Sequence, residues 1–201
     1  MRRAVFLDRD GVINHNRPDH VKSLDEFVLL PGVLQALALL GKSDLCVVVV
    51  SNQSAINRGL VTQSVVESIH QWLLETVQQA GGRIDAIAYC PHRPDEACRC
   101  RKPQPGLLLD TAQRLNIDLR RSFLVGDALS DVQAAVAAGV QPVLVLTGRG
   151  KAQVKLLSEP DKQRVPVFEH LLAAVEWILG CNALSCCRTD VTGKGRIQAP
   201  H

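Results

Sequence analysis

Short apolar runs alternate along the chain with longer amphipathic segments. The apolar runs have the length of buried β-strands and cover residues 4–7, 45–50, 84–89, 122–125, 142–146 and 165–168. Apolar residues at helical spacing occupy the segments 31–40, 62–80, 105–116, 131–138 and 170–179. This alternation predicts an α/β fold with three layers, in which helices cover both faces of a doubly wound parallel sheet.

One domain accounts for most of the chain. Its 201 residues are enough for one full core, and 46% hydrophobic with 21% charged residues is ordinary for a globular domain. We assign residues 1–180 to this domain and predict a disordered tail over 181–201, where the apolar periodicity stops. Residues 14–30 are too few and too polar to form a large cap domain over a site, so loops must set specificity.

Two carboxylates follow the first predicted strand directly. In FLDRDGVIN the apolar run ends at Asp8 and Asp10, and Gly11 supplies a turn. Ligands of such sheets bind at the carboxyl ends of the strands, so a site is expected here. Carboxylates this close repel each other, and a hard cation such as Mg²⁺ would offset the repulsion. The alternative to a metal site is a solvent-exposed turn rich in aspartate and glycine.

Polar side chains also follow two other predicted strands. Ser51 and Asn52 come after the run 45–50, where hydroxyl and amide groups can hold a phosphoryl group, although SNQS can also cap a helix. Asp127 comes after the run 122–125 and is a candidate metal ligand. Asp131 is either a further acid behind the site or a favourable charge at the start of a helix.

A metal-binding pattern lies between the third strand and the next helix. Three thiols and one imidazole fall within eleven residues, namely Cys90, His92, Cys98 and Cys100. They form a complete tetrahedral set for a structural zinc ion; the alternatives are a strained Cys98–Cys100 disulfide and free thiols. Arg101 and Lys102 follow at once, so the zinc would pin a loop that presents two cations. We expect Lys102 to face Asp8 with room for a phosphate between them.

Charge and composition exclude several classes of partner. A net charge of +3 and only 3% aromatic residues disfavour nucleic acid, whereas a small anionic substrate fits. No apolar run approaches membrane-spanning length, and the four apolar residues before Asp8 are too few for a signal-peptide core. We therefore expect a cytoplasmic monomer without a membrane partner. In that reducing compartment seven cysteines do not indicate a disulfide framework.

Four motifs in order along the chain resemble those of the haloacid dehalogenase-type (HAD) phosphohydrolases. They are FLDRDGVIN, SNQSAINRG, CPHRPDEACRCRKPQPG and VGDALSD. Residues 3–148 resemble one branch of this superfamily, the D-glycero-D-manno-heptose-1,7-bisphosphate 7-phosphatases. The resemblance implies Mg²⁺-dependent removal of the 7-phosphate through an aspartyl-phosphate intermediate, with a structural zinc, in the biosynthesis of nucleotide-activated heptose for lipopolysaccharide.

The resemblance implies roles for the acidic residues. Asp8 would be the nucleophile, and Asp10 would act as general acid and base. Mg²⁺ would be held by Asp8, Asp127 and the backbone carbonyl of Asp10. The chain departs from the family at Ala128, where a lysine is usual, so one positive charge near the site is missing.

The resemblance also implies which residues would bind the substrate. Ser51 and Lys102 would hold the transferred phosphoryl group. Asn52, Arg58 and Arg101 would contact the remainder of a phosphorylated sugar.

Other functions remain open from the sequence. Histidinol-phosphate phosphatases share the aspartate motif and a short zinc loop, but residues 57–59 and 105–106 match the heptose enzymes better. A non-catalytic phosphosugar-binding module would be expected to lack Asp8, Asp10 or Lys102, and all three are present. A zinc-dependent regulator of nucleic acid is disfavoured by the weak net charge.

Overall fold

The computed structural model describes residues 1–183, and these contain one parallel sheet. Its strands are β1 (Ala4–Leu7), β2 (Cys46–Asn52), β3 (Ala86–Cys90), β4 (Phe123–Gly126), β5 (Gln141–Val145) and β6 (Val167–Phe168). They are ordered β3-β2-β1-β4-β5-β6, and every neighbouring pair is parallel. The first strand therefore lies inside the sheet, between β2 and β4.

Helices cover both faces of this sheet. They are α1 (Val33–Gly41), α2 (Gln63–Gln79), α3 (Gly106–Leu115), α4 (Leu129–Ala138), α5 (Gly150–Gln153), α6 (Glu159–Arg164) and α7 (Leu171–Ala183). Single 3₁₀ turns occur at Pro94–Glu96, Leu119–Arg121 and Val154–Leu156. None of the helices described is long and apolar enough to cross a membrane.

The alternation of side chains along β1 explains the three layers. Val5 and Leu7 point into a core formed with α1, α2 and α7, whereas Ala4 and Phe6 point into a second core formed with α3 and α4. All four side chains are fully buried. A strand that is covered by helices on both faces has a continuous run of apolar residues in the sequence, because the side chains on both faces are buried. The predicted three-layer, doubly wound sheet is confirmed.

The predicted elements are present, with most ends shifted by one or two residues. Helices α5 and α6 were not predicted, since both are short and carry little apolar periodicity. Helix α7 continues to Ala183, beyond the predicted end at residue 179 and into the first three residues of the predicted tail. The rest of that tail, residues 184–201, lies outside the described part of the chain.

The strand order determines where a site can form. The chain moves outward from β1 to β2 and β3, then returns to the opposite side of β1 to place β4. Loops leaving the carboxyl ends of β1 and β4 consequently diverge and leave a crevice between them. Asp8 and Asp127 are the first residues after these two strands.

Candidate functional site

Lys102 and Asp8 meet at this crevice in a buried ion pair. The Lys102 Nζ lies 2.8 Å from Asp8 Oδ1 and 2.7 Å from Asp131 Oδ1, and it donates to the carbonyl oxygen of Val50 at 2.9 Å. The two carboxylates raise the pKa of Lys102 in spite of its burial. The expected space for a phosphate between Lys102 and Asp8 is not there, because a buried ammonium needs direct partners. A phosphoryl group must approach from the cleft beside them.

Three buried carboxylates form a group that fits a divalent cation. Asp8, Asp127 and Asp131 each place one oxygen within 4.8 Å of the others. Burial raises the pKa of Asp8 to about 7, against the opposing effect of Lys102, and burial also raises the pKa of Asp127. The buried Asp127 Oδ1 accepts no hydrogen bond from any described residue. Mg²⁺ bound here would satisfy that oxygen and keep the acids ionised.

Glycines allow the chain to approach these acids closely. A Cβ atom at Gly11 or Gly148 would lie 2.2 Å from Asp127 Oδ2, and both glycines have positive φ angles, +95° and +55°. A Cβ atom at Gly126 would lie 2.2 Å from the Cβ of Asp131. The backbone N–H of Arg149 donates to Asp127 Oδ2 at 2.7 Å, in the space that Gly148 leaves open.

The carboxylate of Asp10 lies apart from that acidic group and is held by donors. It accepts hydrogen bonds from Arg9 Nη2 at 3.0 and 2.9 Å, from Asn14 Nδ2 at 2.9 Å and from Gln53 Nε2 at 2.8 Å. Burial by itself would raise the pKa of Asp10, but Arg9 and these hydrogen bonds lower it. Asp10 is therefore ionised in this structure, in the form of a base.

A cleft of about 570 Å³ opens above these residues. Four cationic side chains line it, from Arg17, Arg101, Lys102 and Arg149, together with Asp8, Asp10 and Ser51. A cleft with acids at its floor and cations around them suits a metal ion and a substrate that carries several negative charges.

The predicted substrate-binding residues occupy different positions. Ser51 and Arg101 line the cleft. Asn52 also lines it, but its amide is engaged with the backbone of Lys102, donating to the carbonyl oxygen at 3.0 Å and accepting from the N–H at 3.1 Å. Arg58 is exposed and is not among the residues that line the cleft. Its contact with a substrate stays a prediction, and the structure brings Arg149 to the cleft instead.

The cysteine-rich loop brings its four predicted zinc ligands together. Cys100 Sγ lies 3.2 Å from Cys90 Sγ, 3.4 Å from Cys98 Sγ and 3.4 Å from His92 Nδ1. A tetrahedral site with zinc–sulfur bonds of about 2.3 Å has edges of about 3.8 Å, so the cluster fits zinc with a small expansion. Cys98 and Cys100 form no disulfide bond in this structure. Arg101 Nη1 donates to the carbonyl oxygen of His92 at 3.1 Å and joins this loop to the cleft.

Several residues around the site were not predicted from the sequence. Arg9 stands between the two motif acids, and its position was a usable signal for a charge partner of Asp10. Gln53 belongs to the SNQS segment, which was interpreted only through Ser51 and Asn52. His70 lies on α2 and contacts Arg9, a pairing across 61 positions that no local pattern reveals.

A family model and two curated proteins match this chain. The family model Hydrolase_like, described as HAD-hydrolase-like, matches residues 99–174. Two proteins named D-glycero-beta-D-manno-heptose-1,7-bisphosphate 7-phosphatase, from Pseudomonas aeruginosa and Bordetella bronchiseptica, are 41% and 44% identical to it. The alignments cover 89% and 88% of this chain and 98% of each relative.

Solved structures agree with these relatives. The crystal structure of D,D-heptose 1,7-bisphosphate phosphatase from B. bronchiseptica, complexed with magnesium and phosphate, has a TM-score of 0.83 and 43% identity, over 89% of this chain and 98% of that one. The corresponding phosphatase from Burkholderia thailandensis has a TM-score of 0.69 and 36% identity, over 89% and 99%.

Proposed function

Because this chain belongs to the D-glycero-beta-D-manno-heptose-1,7-bisphosphate 7-phosphatase family of HAD hydrolases, we propose that it removes the 7-phosphate of that bisphosphate. The observation that carries the proposal is the meeting of Asp8 and Lys102 at the carboxyl ends of β1 and β4, beside two further buried carboxylates. Aspartate, lysine and a group of acids that fits Mg²⁺ are the parts that phosphoryl transfer needs.

Asp8 is the nucleophile in this mechanism. Its carboxylate oxygen forms a bond to phosphorus while the bond from phosphorus to the C7 oxygen breaks, which leaves an aspartyl phosphate. Lys102 and the hydroxyl of Ser51 would neutralise charge on the phosphoryl oxygens. Asp8, Asp127 and the carbonyl oxygen of Asp10 would hold Mg²⁺, with Asp131 behind them. When bound, the metal ion supplies further positive charge for the same oxygens.

Asp10 handles the protons of both steps. It gives a proton to the departing C7 oxygen and later takes one from the water that hydrolyses the aspartyl phosphate. Asp10 is ionised in this structure, as required of the base in the hydrolysis step. It must therefore take up a proton before the first step, in which it acts as the acid. Its position at the edge of the cleft gives that proton a path from solvent.

The cationic cleft supports a bisphosphate as the substrate. A second phosphate requires anion-binding groups away from Asp8, and Arg17, Arg101 and Arg149 offer guanidinium groups around the cleft. Arg58 would join them only if its exposed loop turns toward the substrate. The relatives are named for the beta anomer, and we extend that preference to this chain.

We also propose that residues 1–180 act as one domain, as a monomer in the cytoplasm. The residues to which the mechanism above gives roles all belong to the same domain. Cys46, Cys90, Cys98 and Cys100 form no disulfide bond with one another, which is consistent with a reducing compartment.

The test is phosphate release by the purified protein with Mg²⁺ from three substrates. These are the beta and alpha anomers of D-glycero-D-manno-heptose 1,7-bisphosphate and histidinol phosphate. We expect the highest kcat/KM with the beta anomer and a product that keeps its 1-phosphate. A higher kcat/KM with histidinol phosphate would overturn the proposal in favour of the alternative phosphatase.

A further inference from the structure

Asp10 is surrounded by buried polar side chains that the mechanism above leaves without a role. Arg9 is 1% exposed, Gln53 4% and His70 6%. We call Arg9, Gln53 and His70 the Asp10 clamp. Polar groups this deeply buried are costly unless each finds a partner, so their contacts indicate what the cluster is arranged to hold.

Arg9 is the centre of the clamp. Its Nη2 donates to both carboxylate oxygens of Asp10, and its guanidinium carbon lies 5.5 Å from the centroid of the Phe27 ring. Its Nη1 lies 3.2 Å from Nε2 of His70. A guanidinium can only donate, so His70 must accept at Nε2 and carry its hydrogen on Nδ1. Burial and the Arg9 charge lower the pKa of His70 to about 4, which keeps this acceptor available.

Gln53 is the second support of Asp10. Its Oε1 accepts from Arg9 Nη2 at 3.0 Å, and its Nε2 donates to Asp10 Oδ2 and to Ser51 Oγ, each at 2.8 Å. The reversed amide would set a donor against the guanidinium and an acceptor against the carboxylate, so the orientation is fixed. Since Ser51 Oγ accepts here, its own hydrogen is free to point at a phosphoryl oxygen.

We propose that His70 and Gln53 are positioning residues for the acid that protonates the leaving oxygen. His70 acts through Arg9, whereas Gln53 acts directly on Asp10 and ties it to Ser51. Alignment of a proton donor with its acceptor governs the rate of transfer, so a loosened carboxylate slows this step while the nucleophile stays in place. The proposal rests on the role of Asp10 proposed above.

The test compares two phosphomonoesters that differ in their need for that proton. The heptose bisphosphate loses an alkoxide, which must be protonated, whereas p-nitrophenyl phosphate loses a stabilised phenolate. For both substrates, kcat/KM includes the step in which the leaving group departs, so this parameter reports on its protonation. We expect His70→Leu, which removes the acceptor for Arg9, to lower kcat/KM about tenfold for the heptose bisphosphate and less than about twofold for p-nitrophenyl phosphate. Gln53→Leu should act in the same direction.

Two further variants separate positioning from general loss of structure. His70→Gln keeps an acceptor for Arg9. The ratio of kcat/KM for the heptose bisphosphate to kcat/KM for p-nitrophenyl phosphate should therefore return close to its wild-type value. Val77 lies on the same helix and packs in the apolar core, so Val77→Ala removes buried apolar contacts and no polar partner of Asp10. It should lower thermal stability and leave the ratio of the two kcat/KM values unchanged.

An equal loss on both esters in His70→Leu, or the same change of ratio in Val77→Ala, would overturn the proposal. Failure of the wild-type protein to hydrolyse the heptose bisphosphate counts against the proposed substrate instead. The ratio is then measured with glycerol 3-phosphate as the alkyl ester, so the clamp and the substrate are judged separately.

Discussion

The acidic site at the sheet edge and the cysteine-rich loop beside it are assembled in opposite ways. Asp8, Lys102 and Asp127 come from distant parts of the chain and meet because parallel strands end together. The four predicted zinc ligands lie within residues 90–100. Most of the intervening side chains of that loop are exposed, so it has no apolar core of its own.

This difference predicts what each metal ion contributes. The acids follow strands that the sheet holds in place, and Lys102 is their internal counter-charge, so Mg²⁺ should add chemistry to a site that the sheet itself positions. The loop should depend on zinc, because the four predicted ligands are the principal contacts that define its shape. Loss of Mg²⁺ should stop the reaction and spare the fold, and loss of zinc should loosen one segment.

The largest effect should come from Asp8→Asn. The amide cannot form the aspartyl phosphate, so kcat should fall by on the order of 10³-fold or more while the fold persists. Phosphate release and thermal unfolding measure the two properties. Asp25→Asn, an exposed acid outside the cleft lining, serves as the control and should keep wild-type activity. Near-normal turnover in Asp8→Asn would disprove the nucleophile assignment.

Cys100→Ser should have an intermediate effect. Loss of one thiolate removes the zinc and frees the loop, so Arg101 loses its fixed position, and KM should rise by about tenfold. Lys102 is held independently by Asp8, Asp131 and the Val50 carbonyl, so kcat should fall less than KM rises. Elemental analysis should give one zinc per wild-type chain. Hydrogen exchange should be faster only in residues 91–101. Unfolding of the whole protein would contradict the expectation that zinc stabilises this loop alone.

The effect of Mg²⁺ on stability should depend on pH. Without metal, the pKa of Asp8 is about 7 in the folded state and near 3.8 when unfolded, so the folded state retains a proton that the unfolded chain has released. The contribution of Asp8 to stability therefore falls as pH rises from about 4 to about 7. Mg²⁺ binds the ionised form, so it should raise the unfolding temperature more at pH 8 than at pH 5. An equal increase at both values would show that Asp8 is already ionised.

Arg149→Gln should have the smallest effect. The side chain is half exposed at the cleft, 3.6 Å from Asp127 Oδ1, and can contact a substrate phosphate. We expect KM for the heptose bisphosphate to rise about threefold with little change in kcat. Arg99→Gln is the matched control on the cysteine-rich loop, because Arg99 pairs with Asp110 and does not line this cleft. Similar changes of KM in both variants would mean that only overall charge matters.

The sequence predicted those parts of the molecule that depend on local patterns. Continuous β-branched runs specify strands with two covered faces, as at 45–50. The candidate zinc ligands can be recognised in the sequence because they lie close together in it. Helix α6 was missed, although Ser158 as its N-cap and Pro160 in its first turn were usable signals. The early end predicted for α7 shows how weakly an apolar pattern fixes a terminus.

The meeting of distant residues was predicted only where a motif marked them, as for Asp8, Lys102 and Asp127. His70 was one of several histidines without a pattern, and only the packing of α2 brings it to Arg9. Asp131 was left between two interpretations, and its contact with Lys102 now places it inside the acidic group. Arg58 was predicted as a substrate contact from a resemblance between motifs, which carries no information on which side chains face the cleft, and Arg149 was not predicted.

The tight approach of Gly11, Gly126 and Gly148 to the acids limits how this enzyme can diverge. Even a single methyl group at these positions would collide with Asp127 or Asp131, so no residue other than glycine is expected to be tolerated there. New substrate preferences must therefore arise in the peripheral loops, around Arg17 and Arg101. Descendants of this scaffold would keep one reaction and exchange the esters on which it acts.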